Sequence, residues 1–288
     1  EAGERERAAD DYSQALLLFT TARDAPGQAL SRQSRALLAY EDGRLAESLE
    51  EFDASLRLIP RDEDPVNYAH TLHNSALPLN VLGRFDEAIA RYYEAALLLR
   101  ERGDRSGEAR ALHGIGTTLR HAGEPERARE LLQTAIRLRA DVGATREQAV
   151  SLTVLGQVEL DLGRAEAAIV LHREAAALVS APRDRARALL ALADALTVAG
   201  RLDDARGVLE QVLAFDLPPG HRHLGNAWAQ LGEVESRAGE PAAARAAFAR
   251  AVATHRANGS ELELARALAR RGHAHRRAGQ ADLTPDRS

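Results

Sequence analysis

The stretch "LGRFDEAIARYYEAALLLRERGD", residues 82–104, returns forty residues later as "AGEPERARELLQTAIRLRADVGA", 122–144, and again as "LGRAEAAIVLHREAAALVSAPRD", 162–184. In each copy an alanine follows the opening glycine by five residues and by twelve, and a larger residue stands nine after it. Followed outward, the glycine recurs at Gly3, Gly43, Gly83, Gly123, Gly163, Gly200, Gly239 and Gly279, at intervals of 40, 40, 40, 40, 37, 39 and 40. So regular a period marks an internal repeat, each unit of which buries its apolar face against its neighbours.

Around each glycine the apolar residues recur at spacings of three and four, the period of an amphipathic helix. A glycine where one such segment ends and another begins suits a helix C-terminal residue in the left-handed conformation. Pro125 and Pro241 follow two residues after their glycines, in a first helical turn, where a missing N–H costs no hydrogen bond. The unit is therefore a helical hairpin, with helix A before the glycine and helix B after it.

Residues five after the glycine are small (Ala8, Ser48, Ala88, Ala128, Ala168, Ala205, Ala244), and so are those seven before it (Ala36, Ala76, Gly116, Gly156, Ala193, Gly232, Gly272). These let A and B approach closely. Bulky residues fill the remaining space: Phe52, Tyr92, Leu132, Leu209 and Phe248 nine after the glycine, and Leu72, Leu112, Leu152, Leu189, Trp228 and Leu268 eleven before it.

The sixth copy reads Trp228-x2-Leu231-Gly232 and then Ala244-x3-Phe248, which resembles the tetratricopeptide-repeat signature. The pattern extends in some form over essentially the whole chain. It departs from the family at Glu235, where a tyrosine is usual, at His172 in a bulky slot, and at the closing proline, which survives clearly only as Pro60. A forty-residue period resembles the longer variant found in kinesin light chains, spindle-orientation adaptors and the sensor arms of bacterial transcription regulators and signalling ATPases. The resemblance implies an all-α fold, a right-handed α-solenoid of about seven hairpins spanning 1–279. The first helix, 4–22, reads as a B helix without its A, and the last, 260–278, as an A helix without a B. Such ends belong either to a fragment of a longer protein, the favoured expectation, or to a capped array. Residues 280–288 read as a disordered tail.

Composition narrows the function. Hydrophobic residues make up 45% of the chain but aromatics only 4%, so alanine and leucine carry a helical core. The net charge of −5 argues against a general nucleic-acid binder. All 38 cationic side chains are arginine, which excludes a P-loop lysine, a Schiff base or a lysine base within the chain. There is no cysteine, hence no disulfide and no thiolate metal site. No apolar run approaches the ~20 residues that cross a bilayer. The catalytic motifs G-x-S-x-G and H-E-x-x-H are missing, and nothing sets a base beside a nucleophile. The expectation is a non-enzyme without cofactor.

The resemblance also implies that A helices line a concave groove, and it assigns groove positions. In the second copy these are His70, His73, Asn74 and Asn80, and in the third Arg110, His113, Thr117 and Arg120. The fourth gives Thr153, Gln157 and Asp161, the fifth Arg187 and Asp194, and the sixth Asn226, Gln230, Glu233 and Arg237. The last helix supplies Arg266, Arg270, His273, Arg276 and Arg277. A groove with arginine and histidine toward its ends suits a protein or an extended peptide, with acidic groups met by guanidiniums. Its alternative is a merely solvated face. The carboxylate clamp of some family members is matched only by Asn74 and Arg110, with Gln33 in a lysine slot. His70, His73 and His113 on neighbouring repeats read as neutral hydrogen-bonding groups, with metal ligation as the lesser alternative. Pro78, inside a helix A, should kink or break it.

The sequence therefore reads as a cytoplasmic, bacterial protein- or peptide-binding scaffold, the sensor or docking arm of a larger regulatory protein. The alternative is a substrate-presenting arm of a multidomain enzyme such as a protease or signalling ATPase. Nucleic acid and membrane are not expected partners; self-association through the solenoid ends is.

Overall fold

The computed structural model describes residues 2–218 and 220–281, and the side chains of 3–218 and 220–276. Among these, every regular element is an α-helix: α1 (Ala2–Ala22), α2 (Ala25–Glu41), α3 (Leu45–Leu56), α4 (Pro65–Val81), α5 (Phe85–Glu101), α6 (Arg105–His121), α7 (Pro125–Asp141), α8 (Thr145–Asp161), α9 (Ala165–Leu178), α10 (Pro182–Val198), α11 (Leu202–Leu213), α12 (Arg222–Ala238), α13 (Pro241–Ala257) and α14 (Glu261–Ala281). They form two compact units, Glu1–Ala144 and Thr145–Ser288. The first stacks the hairpins α2–α3, α4–α5 and α6–α7 behind α1; the second stacks α8–α9, α10–α11 and α12–α13 with α14 against α13. The fold is an all-α solenoid of helical hairpins.

Helix starts between residues 65 and 165 fall every twenty residues, because 17-residue helices alternate with three-residue turns. Gly83, Gly123 and Gly163 close the A–B turns at φ of 74°, 81° and 74°. Gly103 and Gly143, midway between them, close the B–A turns in the same left-handed conformation. A side chain there would meet the following carbonyl, so glycine is favoured at both kinds of turn. Gly3 and Gly279 are corrections to the repeat reading, since they lie inside α1 and α14 rather than at turns.

Close packing inside each hairpin explains the small slots. A Cβ on Gly116 would stand 2.6 Å from Leu132 Cγ, and one on Gly232 would stand 2.7 Å from Phe248 Cδ1. Ala128, Ala168 and Ala205 opposite are fully buried, as are the knobs Phe52, Leu132 and Leu209. In α9 the knob is His172, seated on Gly156, with both ring nitrogens buried and unpartnered. The slot therefore selects volume before polarity. At the ends the pattern lapses, because Gly272 and Leu268 are exposed and Ala8 is only half-buried.

Three further expectations change. The helix runs through Pro78 to Val81, so this proline removes one donor without breaking α4. Residues 280 and 281 close α14, while 282–288 lie outside the described residues. The first and last helices run 2–22 and 261–281 rather than 4–22 and 260–278.

Candidate functional site

In the first unit the A helices α2, α4 and α6 begin at aspartates forty residues apart. Asp24, Asp64 and Asp104 each accept a hydrogen bond from the N–H three residues on, at 3.2, 3.3 and 2.8 Å. This satisfies one of the orphan donors of each first turn and places a negative charge at the positive end of the helix dipole.

Along the same helices, the predicted groove residues engage one another. Arg110 donates to Nδ1 of His70, whose Nε2 lies 3.7 Å from Asp104 Oδ2. That arrangement fixes a neutral imidazole with its proton on Nε2. Burial, then the Arg110 charge, lowers the His70 pKa. His73 is buried against Tyr92, ring centroids 5.0 Å apart, and burial pushes its pKa down to about 3. His113, half-buried, falls to about 3 for the same reason, helped by Arg139. Thr117 spends its hydroxyl on the His113 carbonyl at 2.9 Å, and Asn80 Oδ1 lies 3.3 Å from His121 Nδ1. Asn74 and Arg120 are half-buried on their helices. Gln33 turns to Asn67 at 3.2 Å. Among the described residues no group of three or more His, Asp or Glu side chains is placed to hold a metal ion.

The second unit encloses open volume. A cavity of about 520 Å³ is lined by Gln157, Arg187, Asn226 and Gln230 of the predicted set, together with apolar Val150, Val154 and Leu190. A second, of about 310 Å³, shares Leu190, Asn226, Gln230 and Glu263 and adds Arg266 and Arg270. A third, of about 290 Å³, takes Arg270, His273, Glu233 and Arg276. Gln230 Oε1 is buried without a partner, so one amide acceptor between the first two cavities is unspent. Asp194 is held above the usual carboxylate range by burial, against the pull of Arg270 and Arg237. Arg237 is tied to Glu233 at 3.1 Å and to the Thr197 carbonyl at 3.2 Å. Arg277 falls outside the described side chains.

A fourth cavity, about 530 Å³, opens at the starts of α8, α10 and α12 and was not anticipated from the sequence. Arg146, Arg183 and Arg222 line it, at the second, second and first positions of their helices. Their intervals of 37 and 39 match those between Gly163, Gly200 and Gly239, so the signal was present in the repeat register. Apolar periodicity marks the faces of helices and carries no signal for residues at their starts.

Two stretches of the chain, residues 67–141 and 153–222, each match a model described as tetratricopeptide repeat. The chain belongs to the tetratricopeptide-repeat family. Solved structures of similar fold include the apo form of the quorum sensor NprR from B. thuringiensis, at 14% identity and a TM-score of 0.68, covering 94% of this chain and 81% of that one. BtubC from P. vanneervenii matches at 17% identity and a TM-score of 0.61, over 75% of this chain and 94% of its own. A putative kinesin light chain from Podosopora anserina matches at 19% and 0.56, over 67% and 96%. At such identities the likeness is one of fold. No curated protein sequence matches the chain. No described helix is long and apolar enough to cross a membrane.

Proposed function

We propose that the A-helix face of the second unit is a peptide-binding groove, and that the chain is a non-catalytic docking or sensor arm of a larger, bacterial and cytoplasmic regulatory protein. The observation that carries the reading is the pair of cavities joined by Leu190, Asn226, Gln230 and Glu263. Side-chain amides donate and accept at once, which matches the alternating N–H and C=O groups of an extended backbone. The apolar floor at Val150, Val154 and Leu190 gives side chains of a bound segment somewhere to be buried. Membership of a repeat family built on helical hairpins supports a binding role, and the quorum-sensor neighbour supports the sensor form of it.

Binding to this surface biases whatever is attached to it only through differential affinity for two arrangements of the repeats. The test is selection of peptides on the 288-residue chain from a random library, followed by measurement on Asn226→Ala, Gln230→Ala. The double variant should weaken selected peptides roughly tenfold or more while leaving the circular dichroism unchanged. Failure of the library to yield any peptide, or equal affinity for both proteins, would overturn the groove.

A further inference from the structure

The mouth formed by α8, α10 and α12 has a composition that helix formation does not explain. A cation at a helix N-terminus opposes the dipole and costs a few tenths of a kcal/mol or more. Arg146, Arg183 and Arg222 nevertheless stand at the second, second and first residues of three successive A helices, in the register where the first unit has Pro26, Val66 and Ser106. α10 is preceded by Ala181, which provides no side-chain acceptor for its first N–H groups. α12 is capped by an imidazole, His221 Nδ1 accepting from the His223 N–H at 3.3 Å, which leaves the His221 proton on Nε2.

Arg187 completes the wall. Asp184 is its one carboxylate, bridging Arg146 at 2.8 Å and Arg187 at 3.3 Å. Four guanidiniums against one carboxylate leave a surplus of three positive charges. Asp184 also holds two of the guanidiniums in place. His223, on the same wall, is 8% exposed, and its Nδ1 is buried with no partner. Both imidazoles carry the mark of this field. The His221 pKa is lowered by burial and then by Arg183 and Arg222; that of His223 is pushed to about 4 by burial, His221 and the surrounding arginines.

The geometry points to a phosphate-binding site here, which receives a phosphorylated serine or threonine of a peptide lying in the groove. Resting on the groove reading, it adds the chemistry of one recognised side chain. Arg187, Arg222, His223 and Ser260 line both this mouth and the 520 Å³ cavity, so one extended ligand can reach the two. A carboxylate is planar and satisfied by one bidentate arginine. Guanidiniums from three separate helix starts, with the first turn of α10 uncapped by any side chain beside them, suit the three acceptor oxygens and double charge of a phosphomonoester.

The test uses two probes on the 288-residue chain. Inorganic phosphate, titrated against acetate at equal ionic strength, should raise the pKa of His221 and His223 as read by their ring proton shifts, and acetate should not. A degenerate phosphoserine and phosphothreonine peptide library should then be captured roughly tenfold better than the same library treated with phosphatase. Arg183→Glu, Arg222→Glu should abolish both effects. Since it places acids in helix first turns, it should leave the fold at least as stable, and Arg173→Glu on the exposed face of α9 should change neither. Equal responses to phosphate and acetate, or phosphate effects surviving in the double variant, would overturn the site. Equal capture of treated and untreated libraries would overturn the phosphopeptide while the groove stood. Capture of neither library would remove the groove itself.

Discussion

The A helices of the two units begin in opposite ways. Those of the first start under their own carboxylates, Asp24, Asp64 and Asp104, and their first turns are satisfied from within. In the second unit α10 and α12 carry arginine at their second and first residues, behind Ala181 and His221, and a cavity lies over them. The start of the A helix is thus capped by its own acid in one unit and lined by a cluster of arginines in the other. The difference teaches that a repeat scaffold varies function most cheaply where the helix needs only a cap, because interior slots are held by volume.

The largest expected effect asks whether the two units differ only at those starts. His172 is fully buried, with a folded pKa of about 4 against an ordinary 6.5, lowered by burial alone. Between those values the unfolded chain binds the proton and the folded one does not. Stability is therefore whole above pH 6.5 and falls as pH drops toward 4, by about 3 kcal/mol at full extent. His172→Leu should remove that share of the acid sensitivity, measured by urea unfolding at pH 7 and pH 4.5, and leave the phosphate titration of the mouth unchanged. A mouth that titrated differently in this variant would join interior and helix starts into one system and break the comparison.

Next comes a mirrored pair. Asp104→Ala should cost about 1 kcal/mol, and Ala181→Asp should gain a similar amount while competing with phosphate at the mouth. Hydrogen exchange resolved by unit would show the loss confined to the first and the gain to the second. If Ala181→Asp gained nothing, the contrast in capping would be without energetic meaning. The smallest effect is that of Arg222→Glu alone, a gain of about 0.3–1 kcal/mol at low ionic strength from complementing the dipole of α12, shrinking in salt.

Much of the architecture was legible because repeats print packing rules many times over. Gly116 beneath Leu132 and Gly232 beneath Phe248 are single contacts, but with their counterparts they reveal the register. The same logic misled at the margins, where Gly3 and Gly279 keep the interval without a following turn to close. Gly103 and Gly143 close turns at half that period, but the turns after α3, α9 and α11 have no such glycine, so the sequence does not print the twenty-residue interval as a regular one. In the groove, helix faces were assignable from register, which is how Gln157, Asn226 and Gln230 were placed. Which side chains neutralise each other was not: the Arg110–His70–Asp104 chain depends on rotamers across two stacked helices.

The uniform helix length between residues 65 and 161 has a consequence for how such a chain changes size. Where Gly83, Gly103, Gly123 and Gly143 close successive turns in one left-handed conformation, a forty-residue segment excised or duplicated between Gly83 and Gly123 rejoins faces that already fit. Length then becomes a heritable variable, free to drift in whole modules while each surviving interface keeps its shape.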